Sequence, residues 1–128
     1  MSKRFQVVIV GAGMTGLTVA ALLARSRHND KLRLTVIDAA ARPRHLNEED
    51  TALRVSAIAT GSAELLHAIG AWAQIRDTRA CAYEHMRVWD ETGSADSATA
   101  LRFDAAEFAV AQLGFIVENS LVQAAILE

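Results

Sequence analysis

Apolar residues crowd the front of this chain. Val7 to Ala24 reads VVIVGAGMTGLTVAALLA and follows the basic start MSKR. Such a run has three readings: a secretion signal, a membrane span, or the opening of a nucleotide-binding fold. The glycines favour the third, because they divide the run into two halves of different character. FQVVIV is short and β-branched, the pattern of a buried parallel strand. MTGLTVAALLARSR is rich in alanine and leucine, the pattern of a helix that packs on a sheet. His28 to Lys31 reads as a turn, and LRLTVIDAA as a second strand with Leu32, Leu34, Val36 and Ile37 apolar and Asp38 at its end.

Further along, Ala41 to Arg54 is polar and irregular, contains Pro43, and reads as a connecting loop. In VSAIATGSAELLHAIGAWAQIRDT the apolar residues Ile58, Leu65, Leu66, Ile69, Trp72 and Ile75 recur largely at helical spacing. This predicts an amphipathic helix broken near Gly70. YEHMRVWDETG predicts a strand that turns at ETGS, with ATALRFD as its antiparallel partner. LGFIVEN predicts a short apolar strand, and Asn119 or Ser120 is placed to cap a final helix, LVQAAILE.

The junction of the first strand and helix carries GAGMTG, a G-x-G-x-x-G spacing with a mechanical meaning. Gly11 permits the tight turn out of the strand, Gly13 lets a pyrophosphate approach the backbone, and Gly16 lets the helix lie close to the strand. The helix start then offers free N–H groups and partial positive charge to phosphate. Asp38 lies twenty-two residues after Gly16, at the end of the second strand. An acid there is suited to a ribose 2′-hydroxyl, which favours FAD or NAD over NADP. Capping of the following turn is the plainer role for Asp38.

The fold class expected is therefore α/β: the N-terminal βαβ of a Rossmann-like domain with an inserted helix and β-hairpin. Two or three parallel strands are foreseen, fewer than a doubly wound sheet needs, so the sheet is incomplete and the chain reads as the front part of a larger protein. Composition changes this little. A net charge of −2 gives no general attraction to nucleic acid or anionic lipid, and 52% apolar residues allow a real core. The single cysteine, Cys81, cannot form an internal disulfide and reads as a buried or incidental thiol. The four histidines, His28, His45, His67 and His85, lack a metal-binding spacing, so no metal is expected. Trp72 and Trp89 read as packing residues. Ser56, Ser62 and Ser120 lie in no nucleophile elbow, which sets aside serine hydrolysis.

These residues together resemble a family. VVIVGAGMTGLTVAALLA followed by LTVIDAA is similar to the flavoprotein hydroxylases of the para-hydroxybenzoate hydroxylase class. LRVSAIATGSAELLHAIGAWAQI resembles the subset that hydroxylates the ring of ubiquinone precursors, through Arg54, Ala57, Ile58, Ser62, Leu66, Ile69, Gly70 and Trp72. MRVWDETG and LGFIVENSLVQAAILE resemble that subset too. The resemblance implies FAD as the resident cofactor, with Gly11, Ala12, Gly13, Met14, Thr15 and Gly16 around its pyrophosphate and Asp38 on the adenosine ribose. It implies that Arg54 lies against the FAD, where a guanidinium offers several donors to phosphate. A loop arginine paired with Glu48, Glu49 or Asp50 is the alternative.

By the same resemblance, NAD(P)H and O2 serve as co-substrates, and the substrate is an aromatic small molecule, a prenylated phenol. The protein would be cytoplasmic, with association at the inner membrane in a biosynthetic complex; no nucleic acid is implied. The flavin carries the chemistry, so no side chain here is assigned as a catalytic acid or base. Glu118 and Asn119 divide between a flavin contact and a structural role. The family's downstream Asp-Gly and Gly-Asp flavin motifs have no counterpart in these 128 residues. Residues 1–128 are thus expected to be the N-terminal part of an FAD-binding domain, inactive alone, with about 80–112 contributing strands to a substrate-domain sheet. The rivals are a nicotinamide-dependent dehydrogenase and a non-catalytic nucleotide-binding module.

Overall fold

A computed structural model describes residues 4–42 and 51–128. The first unit is β1 (Phe5–Val10), α1 (Met14–Ala24) and β2 (Leu32–Ile37), with a 3-10 turn at Asn29–Lys31 before β2. β1 and β2 are parallel and in register from Phe5 opposite Leu32 to Val10 opposite Ile37. This is the expected βαβ unit. Val7 and Ile9 are half-buried on one face of β1, whereas Val8 and Val10 on the other are 57% and 83% exposed. The expectation of a strand buried on both sides is corrected here, because parallel strands are buried only when both faces are covered.

The second unit is β3 (Val55–Ala59), α2 (Thr60–Ala68), α3 (Trp72–Arg79), β4 (Ala80–Tyr83), β5 (His85–Val88), β6 (Leu101–Asp104), a 3-10 turn at Ala105–Phe108, β7 (Gly114–Glu118) and α4 (Asn119–Ile126). β7 is the middle strand of an antiparallel sheet, with β3 and β4 on either side. β5 and β6 form the foreseen hairpin as a separate two-stranded sheet. So the 80–112 span divides: β4 joins β3 and β7, and the hairpin stands apart.

Two element predictions are corrected. Val55 to Ala59 is a strand, not the first turns of the helix. Ile58 lies seven residues before Leu65, a spacing that fits a helix, yet its burial comes from a strand that pairs with β7 some sixty residues away. β4 was not foreseen, since Ala80, Cys81 and Ala82 carry no apolar alternation, and pairing with β7 overrides that weak local signal. The predicted break near Gly70 is confirmed. Gly70 takes φ +86°, and the N–H groups of Gly70 and Ala71 donate to the carbonyls of His67 and Leu66, closing α2 in a left-handed cap.

The core lies between α2, α3, α4 and the β3–β7 pair. Ile58, Leu66, Ile69, Ile75, Val117, Leu121 and Val122 are buried there, and Met14 and Ala21 of α1 pack against them. Trp72 is buried and meets Phe115 edge-on, with ring centroids 4.8 Å apart. Trp89 is 51% exposed, which corrects its reading as a packing residue: it follows β5 at the hairpin turn, away from the core. Cys81 is a free, exposed thiol rather than a buried one.

α1 approaches β1 so closely that residue 16 must be glycine. A Cβ on Gly16 would run into the carbonyl oxygen of Gly11 and lie 3.4 Å from Ile9 Cγ2. Gly16→Ala is expected to lower stability by about 1–3 kcal/mol through overpacking, read by urea denaturation. Ile75 is 0% exposed. Ile75→Ala is expected to lower stability by about 2–5 kcal/mol and Trp89→Ala by less than about 1 kcal/mol in the same assay.

Candidate functional site

The turn between β1 and α1 has the shape its glycines foretell. Gly11 sits at φ +103°, a conformation that L side chains rarely adopt, and its N–H donates to Ile37 O at 2.7 Å, extending the parallel ladder by one bond. Gly13 is the residue before α1, and its carbonyl accepts the first helical bond, from Leu17 N at 3.0 Å. Its φ of −68° is open to any residue. What its missing side chain provides is space, since a Cβ there would meet nothing within 4 Å. No side chain caps α1 and no acid stands in its first turn. The N–H groups of Gly13, Met14, Thr15 and Gly16 precede the first helical bond and are uncommitted within the helix, beside the positive end of its dipole.

Asp38 closes one side of this turn. Its carboxylate accepts from Ala12 N with one oxygen and from Ala40 N with the other, the latter at 2.7 Å. These two bonds, Ala40 first, hold its pKa below the usual carboxylate range. The turn-capping role foreseen for Asp38 is present in the structure. It fixes the following turn, and it stays ionised and exposed at the end of β2. A carboxylate has about four lone-pair positions, so two remain for an outside donor such as a sugar hydroxyl.

Arg54 lies apart from the glycine turn in sequence and immediately before β3. Its side chain is exposed and makes no hydrogen bond or ion pair among the described residues. Glu48, Glu49 and Asp50, its alternative partners, lie outside the described residues, as does Pro43. Its backbone is held: Arg54 O accepts from Asn119 N at 3.0 Å. Asn119 is the first residue of α4, and Gln123, one turn later on the same helix face, donates its side-chain amide to Ala12 O at 3.0 Å. α4 thus touches the Arg54 segment through the main-chain N–H of its first residue and the glycine turn through the Gln123 side chain.

Sequence reasoning missed Gln123, which has no signal beyond its four-residue spacing from Asn119. It also misplaced the helix cap. α4 begins after Glu118, with no side-chain cap, and Asn119 Oδ1 instead accepts from Ser56 Oγ at 2.7 Å. Glu118 is buried and paired with Arg79. A groove of about 590 Å³ runs beside Asp38, lined by Ala12, Leu17, Leu34, Val36, Arg42 and Gln123 among others. Its walls are largely apolar, with Asp38, Arg42 and Gln123 as the polar points.

Residues 9–59 match the NAD(P)-binding Rossmann-like domain family. The chain is 36% identical over 119 residues to the mitochondrial ubiquinone biosynthesis monooxygenase COQ6 of Xenopus tropicalis, covering 92% of this chain and 24% of that protein. It is 33% identical over 122 residues to 3-demethoxyubiquinol 3-hydroxylase of Escherichia coli K12, covering 94% and 29%. With human COQ6 it shares 33% over 125 residues, covering 95% and 25%. The chain thus spans about a quarter of the length of the curated relatives it matches. Along nearly its whole length it is similar to ubiquinone-biosynthesis hydroxylases, and the family match is confined to its front.

Proposed function

We propose that this chain is the FAD-binding front of a flavin-dependent monooxygenase that hydroxylates the aromatic ring of a ubiquinone precursor. The observation that carries the dinucleotide part is the glycine turn into α1, with Gly11 at positive φ, Gly13 bare and Gly16 close against Gly11, and Asp38 beside it. Its donors and dipole fit an anion, and the missing Cβ of Gly13 leaves room for a pyrophosphate. The names of the relatives support the choice of substrate class.

In this reading Gly13, Met14, Thr15 and Gly16 hold the pyrophosphate with backbone N–H groups, while the N–H groups of Gly11 and Ala12 are engaged by Ile37 and Asp38 and shape the turn. Asp38 accepts a ribose hydroxyl of the adenosine half. Arg54 offers its guanidinium to the phosphate or ribityl portion, as a charge-assisted donor. When bound, FAD supplies the redox chemistry that NAD(P)H and O2 require. The residues of this chain bind and orient it, and none of them acts as an acid or base. A prenylated phenol carries a long apolar tail, so we place the protein in the cytoplasm, at the surface of the inner membrane within a biosynthetic complex. No helix among the described residues is long and apolar enough to cross a membrane.

The match to an NAD(P)-binding family favours one second reading, a nicotinamide-dependent dehydrogenase. Affinity measurements on the full-length protein separate the two. FAD is expected to bind far more tightly than NAD or NADP, and the reverse order supports the dehydrogenase. Asp38→Ala is expected to weaken FAD binding by about tenfold, the effect of one lost hydrogen bond to a charged group. The lowered pKa of Asp38 sets the pH dependence of this contribution. The carboxylate acceptor is present at neutral pH and is lost as acidity protonates it, so the Asp38 contribution is flat around neutrality and fades only in acid.

A further inference from the structure

Glu118 is the buried charged residue among the described residues, at 7% exposed. Arg79, at the end of α3, grips it at two points: Nε lies 2.6 Å from Oε1 and Nη2 lies 3.3 Å from Oε2. Oε2 also accepts from Ala52 N at 2.9 Å. The carboxylate therefore ties the end of α3 to the chain just before Arg54. The next bonds continue the same hold: Asn119 N donates to Arg54 O, Ser56 Oγ donates to Asn119 Oδ1, and Val55 stands opposite Glu118 in the β3–β7 ladder. Arg54 is thus fixed on its N-terminal side by Ala52, at its own carbonyl, and on its C-terminal side by Val55 and Ser56. Its guanidinium is left without a partner among the described residues.

A buried ion pair is weak evidence for net stability, because desolvation offsets most of the attraction. Apolar side chains of the same volume would fill this corner at least as well. What an ion pair adds is a fixed register, and here the register belongs to the segment that carries Arg54. The Arg79 hydrogen bonds are the first cause holding Glu118 below the usual carboxylate range, working against desolvation, so its acceptors persist at neutral pH.

We propose that Glu118 and Arg79 are positioning residues: a clamp that sets where Arg54 presents its guanidinium to the flavin cofactor. The inference rests on the flavin reading above. The clamp acts only through Arg54, and that restriction separates it from a general structural role.

The test is a double-mutant cycle on the full-length protein, read as FAD affinity by flavin fluorescence, with melting curves of each apo form. Arg54→Ala and Glu118→Gln are each expected to weaken FAD binding by about tenfold, and the double variant by about tenfold rather than about a hundredfold, because residues acting through one contact are not additive. Asp38→Ala combined with Glu118→Gln is expected to be additive, at about a hundredfold, since those sites share no partner. Wild-type FAD affinity in Glu118→Gln overturns the clamp, as does additivity of Glu118→Gln with Arg54→Ala. Should Glu118→Gln not fold, Arg79→Lys, which keeps the positive charge but loses the two-point grip, takes its place with the same expected pattern. A wild-type protein that never binds FAD overturns the flavin reading and takes the clamp with it. Missing coupling in a protein that does bind FAD overturns the clamp alone.

Discussion

The contact of α4 with its surroundings is the constraint on which the rest of this structure depends. Leu121, Val122 and Ala125 of α4 enter the core beside Ile75 and Val117, while Met14 and Ala21 bring α1 onto the same cluster. The parallel β1–α1–β2 unit is thereby joined to the antiparallel sheet. The apolar side of α4 sets the spacing, and its polar side uses it. Asn119 holds the backbone of Arg54, and Gln123 holds the carbonyl of Ala12. Two segments more than forty residues apart in sequence become neighbours of one helix turn.

The chemistry at the glycine turn comes from groups left open. α1 begins without a cap, Gly13 projects nothing, and Asp38 retains acceptor capacity after satisfying Ala12 and Ala40. What suits the start of α1 to an external anion is the bare backbone of Gly13 beside its free N–H groups, with Asp38 at its side. Glu118 shows the opposite treatment. It is buried, paired with Arg79, and accepts the N–H of Ala52. An open group that meets a ligand and a closed group that fixes geometry are the two complementary parts of a binding site.

The first third of the fold was legible in the sequence because its signals are local. A β-branched strand, a glycine turn, an alanine-rich helix and a terminal acid each announce themselves within a few residues, and Gly11, Gly16 and Asp38 stand in the arrangement their spacing foretold. The hairpin and β7 were legible for the same reason. β3 and β4 were not. Val55–Ala59 is a strand because β7 lies alongside it, a pairing between distant segments that leaves no local trace. Asn119 carried a helix-capping signal, but its side chain turned instead to Ser56, across the same β3–β7 corner. The partner of Glu118 was equally hidden, since Arg79 lies thirty-nine residues earlier and only the fold brings them together. The likeness of nearly the whole chain to ubiquinone-biosynthesis hydroxylases, by contrast, was already carried by residues quoted from the sequence.

The central claim is that α4 gathers the glycine turn, Asp38 and Arg54 around one dinucleotide. A crystal structure of the full-length protein grown with FAD tests it most directly. The account predicts the pyrophosphate on the N–H groups at the start of α1, an adenosine ribose hydroxyl on Asp38, and the Arg54 guanidinium within hydrogen-bonding distance of the same molecule. A bound FAD whose phosphates lie elsewhere, or that leaves Arg54 directed into solvent, would contradict it.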